Sequence, residues 1–183
     1  MNLRLKAAAL TSGVRFVKSR GLVELGRLAA DAFETEYPAW EKLSYPEQLG
    51  QFARFTKQEA EKVLASGVSL QTMRGRLRDN ARRFGRKIRR KLRLSSPEEV
   101  MAAARILYRV IKIDLEGTSR GEIVVRKCFF SSVYSPRVCE LISALDEGIL
   151  AGLADGGELR FMERLSEDKN CCRAQFSFGQ EPR

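Results

Sequence analysis

The chain has 183 residues, 44% of them apolar and 31% charged, a balance that fits a globular protein, and no apolar run reaches the 18 or so residues needed to span a membrane. It contains no histidine, which excludes Cys–His and Ser–His dyads, HExxH sites and His-ligated zinc, so acid–base work falls to carboxylates, lysine, tyrosine or a thiolate. The net charge of +10 sits in one segment: eleven Lys and Arg with one acid, Asp79, lie between Arg74 and Arg93, while the rest of the chain balances 22 basic against 22 acidic residues.

The opening stretch, Met1 to Lys6 followed by an apolar run to Val14, has the order of a signal peptide. The run is short and broken by Thr11 and Ser12, and the apolar/basic pattern continues through Arg15 and Lys18, so a helix is expected there. Without an export signal, the expectation is a cytoplasmic protein whose four cysteines are reduced thiols or metal ligands. Leu22, Leu25, Leu28, Ala29, Ala32 and Phe33 share one helical face that ends by Tyr37-Pro38. Tyr45-Pro46-Glu47 opens the next helix, which continues through Leu49, Phe52, Ala53, Phe55, Ala60, Val63 and Leu64 to Gly67.

A third helix starts at Val68-Ser69-Leu70 and runs into the basic segment. There Leu77, Ala81, Phe84, Ile88 and Leu92 form one narrow apolar stripe on a cationic surface. Arg82, Arg83, Arg86, Lys87, Arg89 and Arg90 are its candidate contacts to an anionic partner: a lipid surface that also accepts the stripe, the phosphates of nucleic acid, or an acidic protein. The competing reading is a solvated helix whose stripe packs on its own core. Only Phe84 interrupts the arginines, which argues against a base-stacking platform, and no sequence-reading DNA motif is present.

Ser95-Ser96-Pro97-Glu98-Glu99 signals a helix start, with Ser96 as cap and Glu99 completing a capping box. The period then changes. Ile111, Ile113 and Leu115 alternate with polar residues in a strand, Gly117 to Gly121 turns, and Ile123 to Val125 form a second strand ending near Cys128. Ser135-Pro136 starts one helix bearing Cys139, Ile142, Leu145, Asp146, Ile149 and Leu153, stopped by Gly156-Gly157. Leu159, Phe161 and Glu163 alternate in a third strand, Ser166 to Asn170 turn, and Cys172, Ala174, Phe176 and Phe178 share the inner face of a fourth, followed by a tail after Gly179. The fold class is therefore α+β, a helical layer over residues 1–94 packed on a β-β-α-β-β module over 95–183 as one compact unit.

Period-2 and period-3.6 spacing allow Cys128, Cys139, Asp146 and Cys172 to meet where the helix crosses the sheet, with Cys171 pointing away. The stretches RKCFFSSVYSPRVCELISALDEGILAGL and LRFMERLSEDKNCCRAQFSF resemble the L-2-amino-thiazoline-4-carboxylic acid hydrolase family. That family shows a Cys after a strand, a second Cys about ten residues on, an acid one helix stripe later and a terminal Cys-x-Phe-x-Phe strand. Cys128, Cys139, Asp146 and Cys172 match, and Ala174 departs where the first Phe is expected. The resemblance implies hydrolytic opening of a C=N ring to a carbamoyl cysteine. Cys139 would be nucleophile or ligand, its pKa lowered by the helix start and Arg137, with Asp146 as proton carrier and Cys128 in support.

The same stretch is more distantly similar to 4-vinyl reductase-type domains, which bind small apolar molecules and some of which hold zinc. On that resemblance Cys139, Cys172 and Glu163 are the metal positions, although Ser166 stands where a further Cys is expected. Three readings follow: a small-molecule hydrolase, with a thiolate or a zinc-bound hydroxide as attacking group; a non-catalytic ligand-binding module, with or without zinc; and an adaptor docking through residues 74–93. Buried thiols that serve only as packing are the bland alternative to the first two.

Overall fold

The computed structural model describes residues 2–11 and 15–179, so the tail after Gly179 lies outside the described residues. The helices are α1 Leu3–Thr11, α2 Arg15–Phe33, α3 Tyr45–Ala65, α4 Leu70–Leu92 and α5 Pro97–Val110, then α6 Pro136–Ile142 and α7 Ala144–Ala154. The strands are β1 Ile113–Gly117, β2 Glu122–Cys128, β3 Glu158–Glu163 and β4 Cys172–Ser177. The α+β class and the order β-β-α-β-β stand as the sequence predicts.

Local chemistry sets the ends. The Glu47 carboxylate accepts the Ser44 N–H at 2.8 Å ahead of α3. At α5 the Ser96 hydroxyl accepts from Glu99 N–H, but the Glu99 carboxylate reaches one residue further back than expected, to Ser95 N–H at 3.0 Å. It also accepts the Asn2 N–H at 3.0 Å, which ties α1 to α5. α2 stops before Tyr37-Pro38 because Glu34 takes a left-handed backbone, φ 55°. The helix expected over 136–153 is divided at Ser143, whose hydroxyl bonds back to the Glu140 carbonyl at 2.8 Å, a contact that bends helices.

The strands form one antiparallel sheet in the order β1-β2-β4-β3. Ile113, Leu115, Ile123, Val125, Leu159, Ala174 and Phe176 are buried on the face towards α5 and α7. The opposite face is polar and carries the ion pairs Arg126–Glu116 at 2.6 Å and Arg173–Glu163 at 3.2 Å. Two bulges break the alternation. In β2 the register skips Arg126, since Asp114 faces Lys127 while Leu115 faces Val125. Strict alternation places Cys128 outward; the bulge returns it inward, opposite Ile113. In β3 the register skips Met162, and Glu163 is turned outward opposite Arg173.

Buried side chains of both parts of the chain make one continuous cluster, from Leu5 and Trp40 in the helical part to Phe176 in the sheet. The two parts join along α4 and α7. A Cβ on Gly148 would strike the Arg78 carbonyl and one on Gly152 the Arg82 carbonyl. A Cβ on Gly85 would lie 2.9 Å from Gly152 Cα. The helices therefore touch backbone to backbone, and Leu77, Ala81 and Phe84 are buried beside the seam.

Candidate functional site

The inner face of the sheet and the opposite side of α7 enclose a polar cluster. Asp146 lies in the first turn of α7 and accepts a hydrogen bond from the Tyr108 hydroxyl of α5 at 2.7 Å. Cys128, brought in by its bulge, is within electrostatic range of both Asp146 and Cys172. Cys139 on α6 is coupled to Asp146, and Cys172 on β4 to Cys139 and Asp146. Cys128, Cys139 and Cys172 therefore each lie within electrostatic range of Asp146, and Cys172 also of the other two thiols. Asp146 and the three thiols keep partial contact with solvent, whereas Tyr108 is buried.

A short helical turn, Leu165–Glu167, covers the cluster. Leu165 N–H donates to the Cys172 sulfur at 3.3 Å, and Ser166 lies beside the Cys139 thiol. Arg164 precedes the turn, with its side chain 15% exposed. Its guanidinium stacks on Phe161 at 4.6 Å and stands 3.6 Å from Glu167, and its buried Nε has no hydrogen-bond partner among the described residues. Its charge reaches Cys139, Asp146 and Cys172. On the far side Tyr134 stacks on Phe130 and shares a hydrogen bond with Thr56 of α3, which binds the helical part to the site.

Burial dominates the electrostatics. It raises Asp146 from 3.8 to about 6, against the pull of the Tyr108 hydrogen bond and of Arg164. It also pushes the Cys128 thiol to about 12 and raises Cys139 and Cys172. The expected lowering at Cys139 is thus overturned. The thiol loses more by leaving water, with the Asp146 charge adding to the penalty, than Ser166 and Arg164 return, and Arg137 itself is exposed. All three thiols are neutral at pH 7, and the only group of the cluster poised to exchange a proton near neutrality is Asp146.

The metal set Cys139, Cys172 and Glu163 is not assembled. The Met162 bulge places Glu163 on the outer face against Arg173, and among the described residues no group of three Cys, Asp or Glu is placed to hold a metal ion. Spacing did not reveal Tyr108, Arg164, Ser166 or the Thr56–Tyr134 pair. Tyr108 carried a faint signal, a phenol on the buried stripe of α5 that needs a partner. Arg164 carried none, since its burial follows from the turn that covers the site.

The basic segment is α4, and its apolar stripe is committed to the core, so insertion of Leu77 and Phe84 into lipid is excluded while the helix stays packed. Its flanks are neutralised. Lys87 pairs with Glu24 at 2.7 Å and Arg83 lies 3.7 Å from Asp31, both on α2, and Arg76 pairs at 2.9 Å with Glu34, the residue just after it. Arg74 pairs with Glu147, and Arg89 donates to the Leu153 carbonyl at 2.9 Å. Arg82 is half-buried with an unpartnered Nε, Arg86 stands 3.7 Å from Asp155, and Arg90 is exposed with no carboxylate partner among the described residues. No protein-family model and no curated protein matches this chain. Among the described residues no helix is long and apolar enough to cross a membrane.

Proposed function

We propose that the protein is a small-molecule hydrolase acting at the cluster under the Leu165–Glu167 turn, with Asp146 as general base and Arg164 as the seat of a substrate carboxylate. The observation that carries this reading is the Tyr108–Asp146 pair, a part-buried carboxylate raised to about 6 and held in one orientation by a 2.7 Å hydrogen bond. The unpartnered Arg164 Nε supplies the cation that an anionic substrate would meet. The resemblance to thiazoline carboxylate hydrolases names a fitting substrate class, a ring whose C=N carbon is bonded to sulfur and which bears a carboxylate on the carbon beyond the nitrogen.

The reaction needs no thiolate. Asp146 takes one proton of a water whose oxygen bonds to the ring carbon. The ring nitrogen, which gains the C=N electron pair, takes the second water proton. The C–S bond breaks as the C=O bond forms, and the leaving sulfur takes the proton held by Asp146. Cys128, Cys139 and Cys172 serve as neutral, polarisable walls that keep the carboxylate desolvated.

The test is turnover of 2-amino-thiazoline-4-carboxylate, read as released thiol. Wild type is expected to turn over with a rate rising through pH 6, Asp146→Asn to lose at least 100-fold, and Cys139→Ala to retain most activity. Wild-type protein without turnover, but stabilised thermally by small apolar compounds, would replace the reading with a non-catalytic ligand-binding module. The half-buried Phe129, which follows Cys128, and Phe161, under the Arg164 guanidinium, favour that second reading.

A further inference from the structure

Two surface features meet at the C-terminal end of α4. The first is a shallow depression lined by Arg83, Arg86, Arg89 and Arg90, with Asp155 as its one carboxylate. Arg78, Arg82, Arg86 and Arg90 continue it as a row with one residue per helical turn, and like charges at that spacing oppose each other. Charge near a helix C-terminus offsets this for the last turn only, so the row as a whole costs stability that an anionic partner would recover. The second feature is α1. Leu5 faces the core, while Leu3 and Leu10 on the opposite side are 82% and 85% exposed, two turns apart and flanked by exposed Arg4 and Lys6. α1 is tied to the same end of α4, because Arg4 donates to the Lys91 carbonyl at 3.0 Å and the Asn2 amide to the Arg93 carbonyl at 3.2 Å.

We infer that this end of the molecule docks on anionic phospholipid, the arginine depression receiving headgroup phosphates while Leu3 and Leu10 enter the interface. Guanidinium pairs with phosphate in two-point geometry, and exposed leucines flanked by basic residues gain only where a hydrocarbon boundary lies behind the charge. A nucleic-acid backbone would use the arginines but offer nothing to the leucines. A second copy of this chain would bring cationic rows into opposition. The stripe of α4 stays in the core, and α1 supplies the apolar contact in its place.

The test is co-sedimentation of the full chain with phosphatidylcholine vesicles, with and without phosphatidylserine, alongside a duplex DNA competitor. The protein is expected to bind only the phosphatidylserine vesicles and to lose binding as salt rises. Leu3→Ser with Leu10→Ser is expected to weaken binding at least tenfold with the fold intact, since both side chains are exposed. Arg86→Gln and Arg90→Gln are each expected to weaken it about fivefold, the equivalent of about 1 kcal/mol per cation at an anionic surface. Absence of binding to phosphatidylserine vesicles overturns the inference, as does binding that the leucine changes leave unaltered. Displacement from vesicles by DNA at equal phosphate, with the leucines irrelevant, would assign the row to nucleic acid instead. The vesicle comparison needs only wild-type protein, so a variant that failed to fold would leave it decisive.

Discussion

The two sides of α7 show opposite solutions to burial. Towards α4, Gly148 and Gly152 bring backbone against backbone and leave no room for a side chain. Towards α5 and the sheet, the same helix buries a carboxylate, a phenol and three thiols at a desolvation cost that only partial hydrogen bonding offsets. Close packing on one side fixes α7, so that a costly polar group on the other can be held at one distance from its partners. The seam serves stability, and the cluster spends some of it.

This contrast can be broken first at the seam. Gly152→Val pushes a branched side chain into the Arg82 carbonyl and is expected to lower stability by about 3 kcal/mol or more, read by urea denaturation. On the other side the sign reverses. Because the folded-state pKa of Asp146 is raised from 3.8 to about 6, the folded form binds the proton more tightly, and stability is lost as pH rises through that window. Asp146→Asn removes the ionisation while keeping the shape, and is expected to be more stable than wild type by about 3 kcal/mol above pH 7, with the difference vanishing below pH 4. A loss of stability at pH 8 would contradict the desolvated carboxylate.

A smaller effect separates the cysteines. With their pKa values raised, Cys128, Cys139 and Cys172 are expected to react with a thiol reagent at pH 7.5 at least tenfold more slowly than in the unfolded chain. A fast-reacting Cys139 would restore the nucleophile. The smallest effect belongs to Glu163. Its pair with Arg173 is exposed, so Glu163→Gln is expected to change stability by less than about 0.5 kcal/mol, and zinc to leave the melting temperature of wild type unaltered. A zinc-dependent rise in melting temperature would reinstate the metal reading.

Periodicity carried the sequence far. The stripe of α4, the starts of α3 and α5, and the four strands follow from apolar spacing and from Ser, Pro and Glu at helix starts. The helical and strand spacing of Cys139, Asp146 and Cys172 pointed them towards one place, and Cys128 joins them only through a bulge. What spacing could not show were single-residue departures from period. One bulge at Arg126 turns Cys128 in, and one at Met162 turns Glu163 out, and each reverses a side chain by inserting one residue against its partner strand. The sign of the Cys139 shift was illegible for another reason. A helix start and a neighbouring Arg137 are local, whereas the burial that outweighs them is supplied by the Leu165–Glu167 turn and β4, distant in sequence. Tyr108 reaches Asp146 from 38 residues away, beyond any local pattern.

The central claim is a carboxylate poised by desolvation and held by one phenol. Its most direct test is the titration of the Asp146 carboxyl carbon by NMR, assigned by its absence in Asp146→Asn and repeated in Tyr108→Phe. A midpoint of about 6 in wild type is predicted, moving higher in Tyr108→Phe because the lost hydrogen bond favours the charged form. A midpoint near the ordinary 3.8, unmoved by Tyr108→Phe, would show a solvated carboxylate and remove the base on which the proposed hydrolysis depends.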